Sequence, residues 1–169
     1  RTSNDVRLAA IVTAVSRWID AECRRFFGIN EAQTRYYTAG HVAQSWLDDF
    51  TGITSLSTDS DGDGVYETVW AASDYYTLPV NARLESPAQP YSHIRIALNG
   101  HYSFPELIPN GIKIVGNFGF DVVVPIVIQE ACILQTCRIW RRSAAPFGIT
   151  GSAELGQARV IPRLDPDVR

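Results

Sequence analysis

The run Ile112–Arg142, IKIVGNFGFDVVVPIVIQEACILQTCRIWRR, constrains the fold more than any other stretch of the chain. Ile112, Ile114 and Phe118 recur with a period near two around Gly116, the pattern of a strand with one side buried. Gly116 and Gly119 permit backbone angles that residues with a Cβ avoid. Pro125 then suits the first turn of a helix, where its missing N–H has no partner to lose. Arg138, Arg141 and Arg142 stand at the far end of that helix, where cations complement its dipole.

A second helical pattern opens the chain. Leu8, Ile11, Val12, Val15, Trp18, Ile19, Cys23 and Phe26 recur at steps of three and four, an apolar stripe. Ser3 or Asn4 can cap it and Gly28 can stop it, which predicts a helix over Asn4–Phe27. The later helix is expected over Pro125–Arg142, with Ile128, Ala131, Cys132, Gln135 and Ile139 on one face. Between them lie short apolar runs separated by Gly, Pro, Asn and Asp. Strands are expected at Gln33–Ala39, His41–Leu47, Ile53–Thr58, Tyr66–Ala71, Tyr75–Leu78, Ile94–Leu98 and Ile112–Val115. The fold class this predicts is α+β: two long packed helices, a β-rich insertion between them over about residues 32–119, and an extended C-terminal arm. The helices and insertion form one domain over 1–142 and the arm covers 143–169.

The arm holds Pro146, Gly148, Gly151, Gly156, Pro162 and Pro166 and has too few bulky apolar residues for a core of its own. Within it, Arg159, Val160, Ile161, Arg163 and Leu164 form a compact hydrophobic and basic patch, the expected partner-binding element.

Charge divides the chain. The net charge of −3 argues against a protein that grips nucleic acid over its whole surface. No Lys or Arg occurs between Tyr36 and Ala82, where Asp48, Asp49, Asp59, Asp61, Asp63, Glu67 and Asp74 accumulate. After Cys137 the balance reverses, with Arg138, Arg141, Arg142, Arg159, Arg163 and Arg169. An acidic middle and a basic end suit different neighbours, or each other in copies of an oligomer. Arg outnumbers Lys 14 to 1, and Arg is favoured at interfaces, although an Arg-rich genome gives the same bias. Cys23, Cys132 and Cys137 lack CxxC spacing and read as small apolar fillers of helices in a reducing compartment. No apolar run reaches the length of a membrane span, so no membrane partner is expected. No signal-peptide pattern opens the chain, and a start at Arg1 without Met points to a trimmed N-terminus.

The sharpest local motif is Asp59-Ser-Asp61-Gly-Asp63-Gly64-Val65-Tyr66-Glu67, which matches the first half of a calcium-binding loop. Asp59, Asp61 and Asp63 are therefore the calcium candidates. The match fails at the twelfth position, Trp70, where a bidentate carboxylate belongs, and strands flank the loop. An acidic hairpin turn is the favoured reading, with no metal and no cofactor expected. His41, His93 and His101 have no ligand spacing, and Gly116-Asn-Phe-Gly119 lacks the residues of a phosphate loop. Glu130, Asp20 and Glu22 read as solvated helix faces. Arg138, Arg141 and Arg142 could bind phosphate but are better explained by the helix end. Trp18, Trp46, Trp70 and Trp140 could stack bases, yet the charges near them are acidic, which favours core and subunit contacts. No catalytic constellation is legible, so the chain is not expected to be an enzyme.

Several segments in order resemble phage head–tail connector proteins, also called adaptor or head-completion proteins. They are Arg25-Phe26-Phe27-Gly28, Arg35-Tyr36-Tyr37, Ile53–Leu56, Asp61-Gly-Asp63-Gly64 and Asp74-Tyr75-Tyr76-Thr77-Leu78-Pro79-Val80-Asn81. They continue through Val115-Gly116-x-x-Gly119-Phe120, Val124-Pro125-x-x-Ile128 and Ala131. The resemblance implies a helical bundle with a β-rich insertion, set in a dodecameric ring in the virion neck and assembled in the host cytoplasm. It implies contacts with the portal protein, neighbouring copies and a head-closure or tail protein. Double-stranded DNA would pass through the ring without sequence-specific binding, and the arm would reach the portal. Another neck or tail-completion subunit and a calcium-dependent carbohydrate or adhesion module remain as alternatives.

Overall fold

In the computed structural model, which describes residues 2–98, 100–143, 149–150 and 159–160, the alternation at Ile112 becomes an inner strand of a six-stranded antiparallel sheet. The strands are β1 (Ile29–Tyr37), β2 (Gln44–Thr58), β3 (Thr68–Trp70), β4 (Tyr75–Leu78), β5 (Tyr91–Ile96) and β6 (Ile112–Gly119). They run in the order β1-β6-β2-β5-β4, with β3 paired to β2. Two helices, α1 (Ser3–Cys23) and α2 (Ile126–Ser143), flank this stretch in sequence. A short pair, β7 (Ile149–Thr150) and β8 (Arg159–Val160), follows. The chain forms two compact units: Asp20–Pro125, and Arg1–Ile19 together with Ile126–Arg169.

The first unit is built by the sheet. Ile112, Ile114 and Phe118 of β6 are buried with Phe50, Leu56, Ile94, Trp70, Phe104 and Ala39. Each large side chain there contributes about 1.5–3 kcal/mol by leaving water. Trp70 stacks on Phe104 with centroids 4.7 Å apart, and its indole N–H donates to Thr58 Oγ1 at 3.0 Å. Burial therefore removes no unpaired indole donor from water. β2 is one long strand where two were expected. Asp48, Asp49 and Gly52 read as turn material, but irregularities between Trp46 and Phe50 and between Phe50 and Ser55 absorb them. The strand thereby pairs β5 with its first part and β6 and β3 with its remainder.

Among its described residues, the second unit holds little core. Among described residues, α1 buries Val15 and Ile19, and α2 buries Thr136. α1 starts on a reciprocal cap: Thr2 Oγ1 accepts from the Asp5 amide at 3.3 Å, and Asp5 Oδ2 accepts from the Thr2 amide at 3.0 Å. It ends at Cys23, earlier than expected. Arg24 turns left-handed at φ 52, and the Arg24 and Arg25 amides close onto Ala21 and Asp20 carbonyls.

The expected layout, two long packed helices carrying a β-rich insertion, is corrected by this architecture. Most of the described chain between the helices forms an antiparallel sheet, and the helices precede and follow it in sequence. The reason lies in burial. Among the described residues, the strands supply six of the seven large apolar side chains that are fully buried, Phe50, Leu56, Ile94, Ile112, Ile114 and Phe118, with Phe104 the seventh, whereas Leu8, Val12 and Trp18 of the α1 stripe remain exposed. Cys23 and Cys137 are likewise exposed and not fillers of a core.

Candidate functional site

The acidic motif closes a hairpin, since β2 and β3 pair antiparallel with Thr58 opposite Thr68. Asp59 is buried at its base, and its two oxygens accept from the Gly62 amide at 2.7 Å and the Gly64 amide at 2.8 Å. Gly62 and Gly64 take positive φ of 80 and 90, which brings those amides inward. Burial pushes the Asp59 carboxyl up, but the amide hydrogen bonds outweigh it and hold the group below its ordinary value. Asp59, Asp61 and Glu67 bring ligand atoms within 4.8 Å of one another. Asp63 is outside that group, and its Oδ1 accepts from the Val65 amide at 2.7 Å. Of the calcium candidates, the structure thus gathers Asp59 and Asp61 and replaces Asp63 by Glu67. The oxygens of Asp59 also serve as the turn's internal acceptors, one glycine amide to each.

A cleft of about 360 Å³ opens beside β1 and β2. In it Arg25 grips Asp49 in fork geometry, Nε to Oδ2 at 2.6 Å and Nη2 to Oδ1 at 2.9 Å. The Asp49 hydrogen bond outweighs partial burial and holds Arg25 above its ordinary value. Arg35 Nη1 donates to Asp48 Oδ2 at 2.7 Å, and the Tyr37 hydroxyl donates to the same oxygen at 3.0 Å. Burial first, and the Asp48 charge second, raise Tyr37 above the ordinary tyrosine range. Arg35 also lies 4.4 Å over the Phe118 ring. Each carboxylate in the cleft has a guanidinium partner, so the network ties β2 to β1 and to the segment that leaves α1. Sequence reading placed Arg25 at a helix end and missed this pairing. The available signal was the cation-free segment itself, whose Asp48-Asp49 pair needs Arg from outside it.

A serine–histidine contact exists, Ser92 Oγ to His93 Nδ1 at 3.2 Å. No described carboxylate bonds that ring, which instead lies 4.4 Å from the indole of Trp46. Trp46, read from sequence as core or contact material, is 66% exposed.

In the helical unit, Ile11, Val15 and Trp18 of α1 and Gln135, Ile139 and Arg142 of α2 line an apolar groove of about 280 Å³. The Cys132 thiol lies 3.9 Å from the Val12 carbonyl oxygen, and the Arg7 guanidinium 5.9 Å from the Trp140 ring. Val6, Leu8 and Val12 of α1 and Ile126, Val127, Ile133 and Leu134 of α2 remain exposed. Of the expected partner-binding residues, Arg159 and Val160 form β8, paired with Ile149 and Thr150. Ile161, Arg163 and Leu164 lie outside the described residues. Among described residues, no helix is long and apolar enough to cross a membrane. Comparisons with family models, curated proteins and solved structures returned no match.

Proposed function

We propose that the chain is a structural subunit of a phage neck, assembling as a ring between the portal and a head-closure or tail protein. The observation that carries this reading is the unfinished core of the helical unit. Val127 is 72% exposed, Leu134 68% and Ile126 67%, on a helix whose one buried residue among those described is Thr136. Large apolar side chains left this exposed would gain by leaving water against a protein neighbour. Neighbouring copies supply it in a ring. The resemblance of the ordered segments to connector proteins nominates the portal as the further partner and the virion neck as the location. The net charge of −3 suits a channel that lets double-stranded DNA pass without holding it. The function needs no turnover, metal or cofactor. The arm over 143–169, with Arg159, Val160, Ile161, Arg163 and Leu164, is the proposed portal dock.

The test is sedimentation and electron microscopy of the purified protein, alone and with the portal of the same virion. Rings that stack on the portal are expected. A truncation after Arg142 should leave folded protein that no longer joins the portal. A chain that stays monomeric at all concentrations and ignores the portal overturns the reading.

A further inference from the structure

β2 separates two unlike surfaces of the sheet unit, and we infer that they meet between neighbouring copies, the surface before its middle on one chain receiving the hairpin beyond its end on the next. The inference rests on the ring reading and names the contact that would join one copy to the next.

The first surface is a face of β2, β5 and β4. Gln44 lies opposite Arg95 and Arg95 opposite Tyr76; Trp46 lies opposite His93 and His93 opposite Leu78. Directly opposed residues share one face of an antiparallel sheet, and positions two apart lie on the same side. The alternate positions Ser45 and Ile94 are buried, so this row faces outward. Trp46 and Tyr76 are exposed and Arg95 stands between them as the exposed cation. Trp, Tyr and Arg are the residue types that carry most binding energy at protein interfaces.

The second surface is the acidic hairpin beyond Thr58. Asp61, Asp63 and Glu67 are exposed there, and so are Val65 and Val69. It offers carboxylates for a guanidinium and aliphatic groups for an indole and a phenol ring. Its own segment carries no Lys or Arg, since none occurs between Tyr36 and Ala82; Lys113 of β6 stands beside it, with Nζ 5.4 Å from the Tyr66 ring, and is a single cation against three exposed carboxylates. No described hydrogen bond or ion pair joins the two surfaces within one chain. From Trp46 to Thr58 the strand spans up to about 40 Å, at ~3.3 Å per residue.

Complementary but different patches on one chain make a heterologous contact, which generates rings when the rotation closes. A self-matching patch would stop at a dimer. Arg95 with Asp61 and Glu67 would set orientation, while Trp46 and Tyr76 packed on Val65 and Val69 would supply affinity.

The experiment is a charge swap read by sedimentation velocity, with thermal melts to confirm the fold. Arg95→Glu alone, and Asp61→Arg with Glu67→Arg, should each raise the concentration for half-assembly by about tenfold or more, the effect of losing one strong contact. The chain carrying all three substitutions should recover assembly. Trp46→Ala, which alters no charge, should weaken assembly without altering the melt. Charge variants that assemble as the parent does, or a triple variant that fails to recover while melting normally, would overturn the contact and leave the ring reading standing. A parent chain that never assembles overturns both.

Discussion

The Gly28 carbonyl oxygen occupies the space where a Cβ on Gly119 would have to sit, and Gly119 itself holds a φ of +132. The Phe120 amide donates to that same oxygen at 3.1 Å and to the Phe26 carbonyl at 2.9 Å. The end of β6 is thereby fixed to the segment that leaves α1. Gly119→Ala would bring both a steric collision and an unfavourable backbone angle. It should destabilise the sheet unit by about 2–4 kcal/mol, read as a lower urea midpoint. Gly52→Ala, with open space around its missing Cβ, should cost far less. Equal losses at both positions would show that close approach is not what selects Gly119.

Trp70 and Thr58 give a second stability test. Trp70→Phe keeps a ring against Phe104 but removes the N–H that donates to the buried Thr58 hydroxyl. The loss should be about 1–3 kcal/mol, because a buried polar group loses its partner. Adding Thr58→Val should recover part of it, since both polar partners are then gone. A denaturation series of the parent, the single variant and the pair measures this.

The acidic hairpin predicts a pH dependence. The folded Asp59 carboxyl sits below its ordinary value, so its ionised form is favoured by folding. Its contribution is fully present above the unfolded value of about 3.9 and is lost as pH falls through the lower folded value. Asp59→Asn should therefore lower Tm at neutral pH, and the gap to the parent should narrow below pH ~4. A gap that widens in acid would contradict the assigned direction.

The same hairpin should be indifferent to calcium. Asp59, Asp61 and Glu67 converge, but both oxygens of Asp59 accept hydrogen bonds from glycine amides. Trp70 stands where a calcium loop needs its bidentate carboxylate. Millimolar calcium or a chelator should leave Tm unchanged. A clear rise with calcium would mean that the ion binds the native state, since such binding must stabilise it.

These sites show what was legible in the sequence. Both helices were readable to within a few residues, because their apolar spacing and ends are local signals. The stop at Arg24 was missed because a non-glycine residue adopts the left-handed angle there. The Tyr75–Leu78 strand falls at the bounds that its short apolar run before Pro79 gives it. The unity of β2 was not legible, since Asp48, Asp49 and Gly52 look like a turn and only pairing with β5 and β6 reveals bulges. Sheet order, and with it the juxtaposition of Trp46, His93, Arg95 and Tyr76, is set by long-range pairing that periodicity does not carry. Weighing the helices above the sheet was an error about burial: an amphipathic stripe shows which face is apolar, not whether anything covers it.

That last distinction leads to a test of the helical surface. Val127 and Leu134 stand seven residues apart on α2, two turns along one face, and both are mostly exposed in a single chain. If neighbouring copies cover them, a charge there should harm assembly without harming the fold. Leu134→Glu puts a carboxylate on that face at little expense to the monomer, because the side chain already meets water. Its melt should stay within about 0.5 kcal/mol of the parent's, the usual range for surface substitutions. Its sedimentation should shift to the monomer at concentrations where the parent is assembled, since burying an unpaired charge is strongly unfavourable. Ile19→Glu is the contrasting variant: Ile19 is buried within the chain, so that change should unfold the helical unit before assembly is tested. A Leu134→Glu protein that assembles at parental concentrations would show that this face stays open in the ring, and the helices would then lose their proposed part in joining the copies.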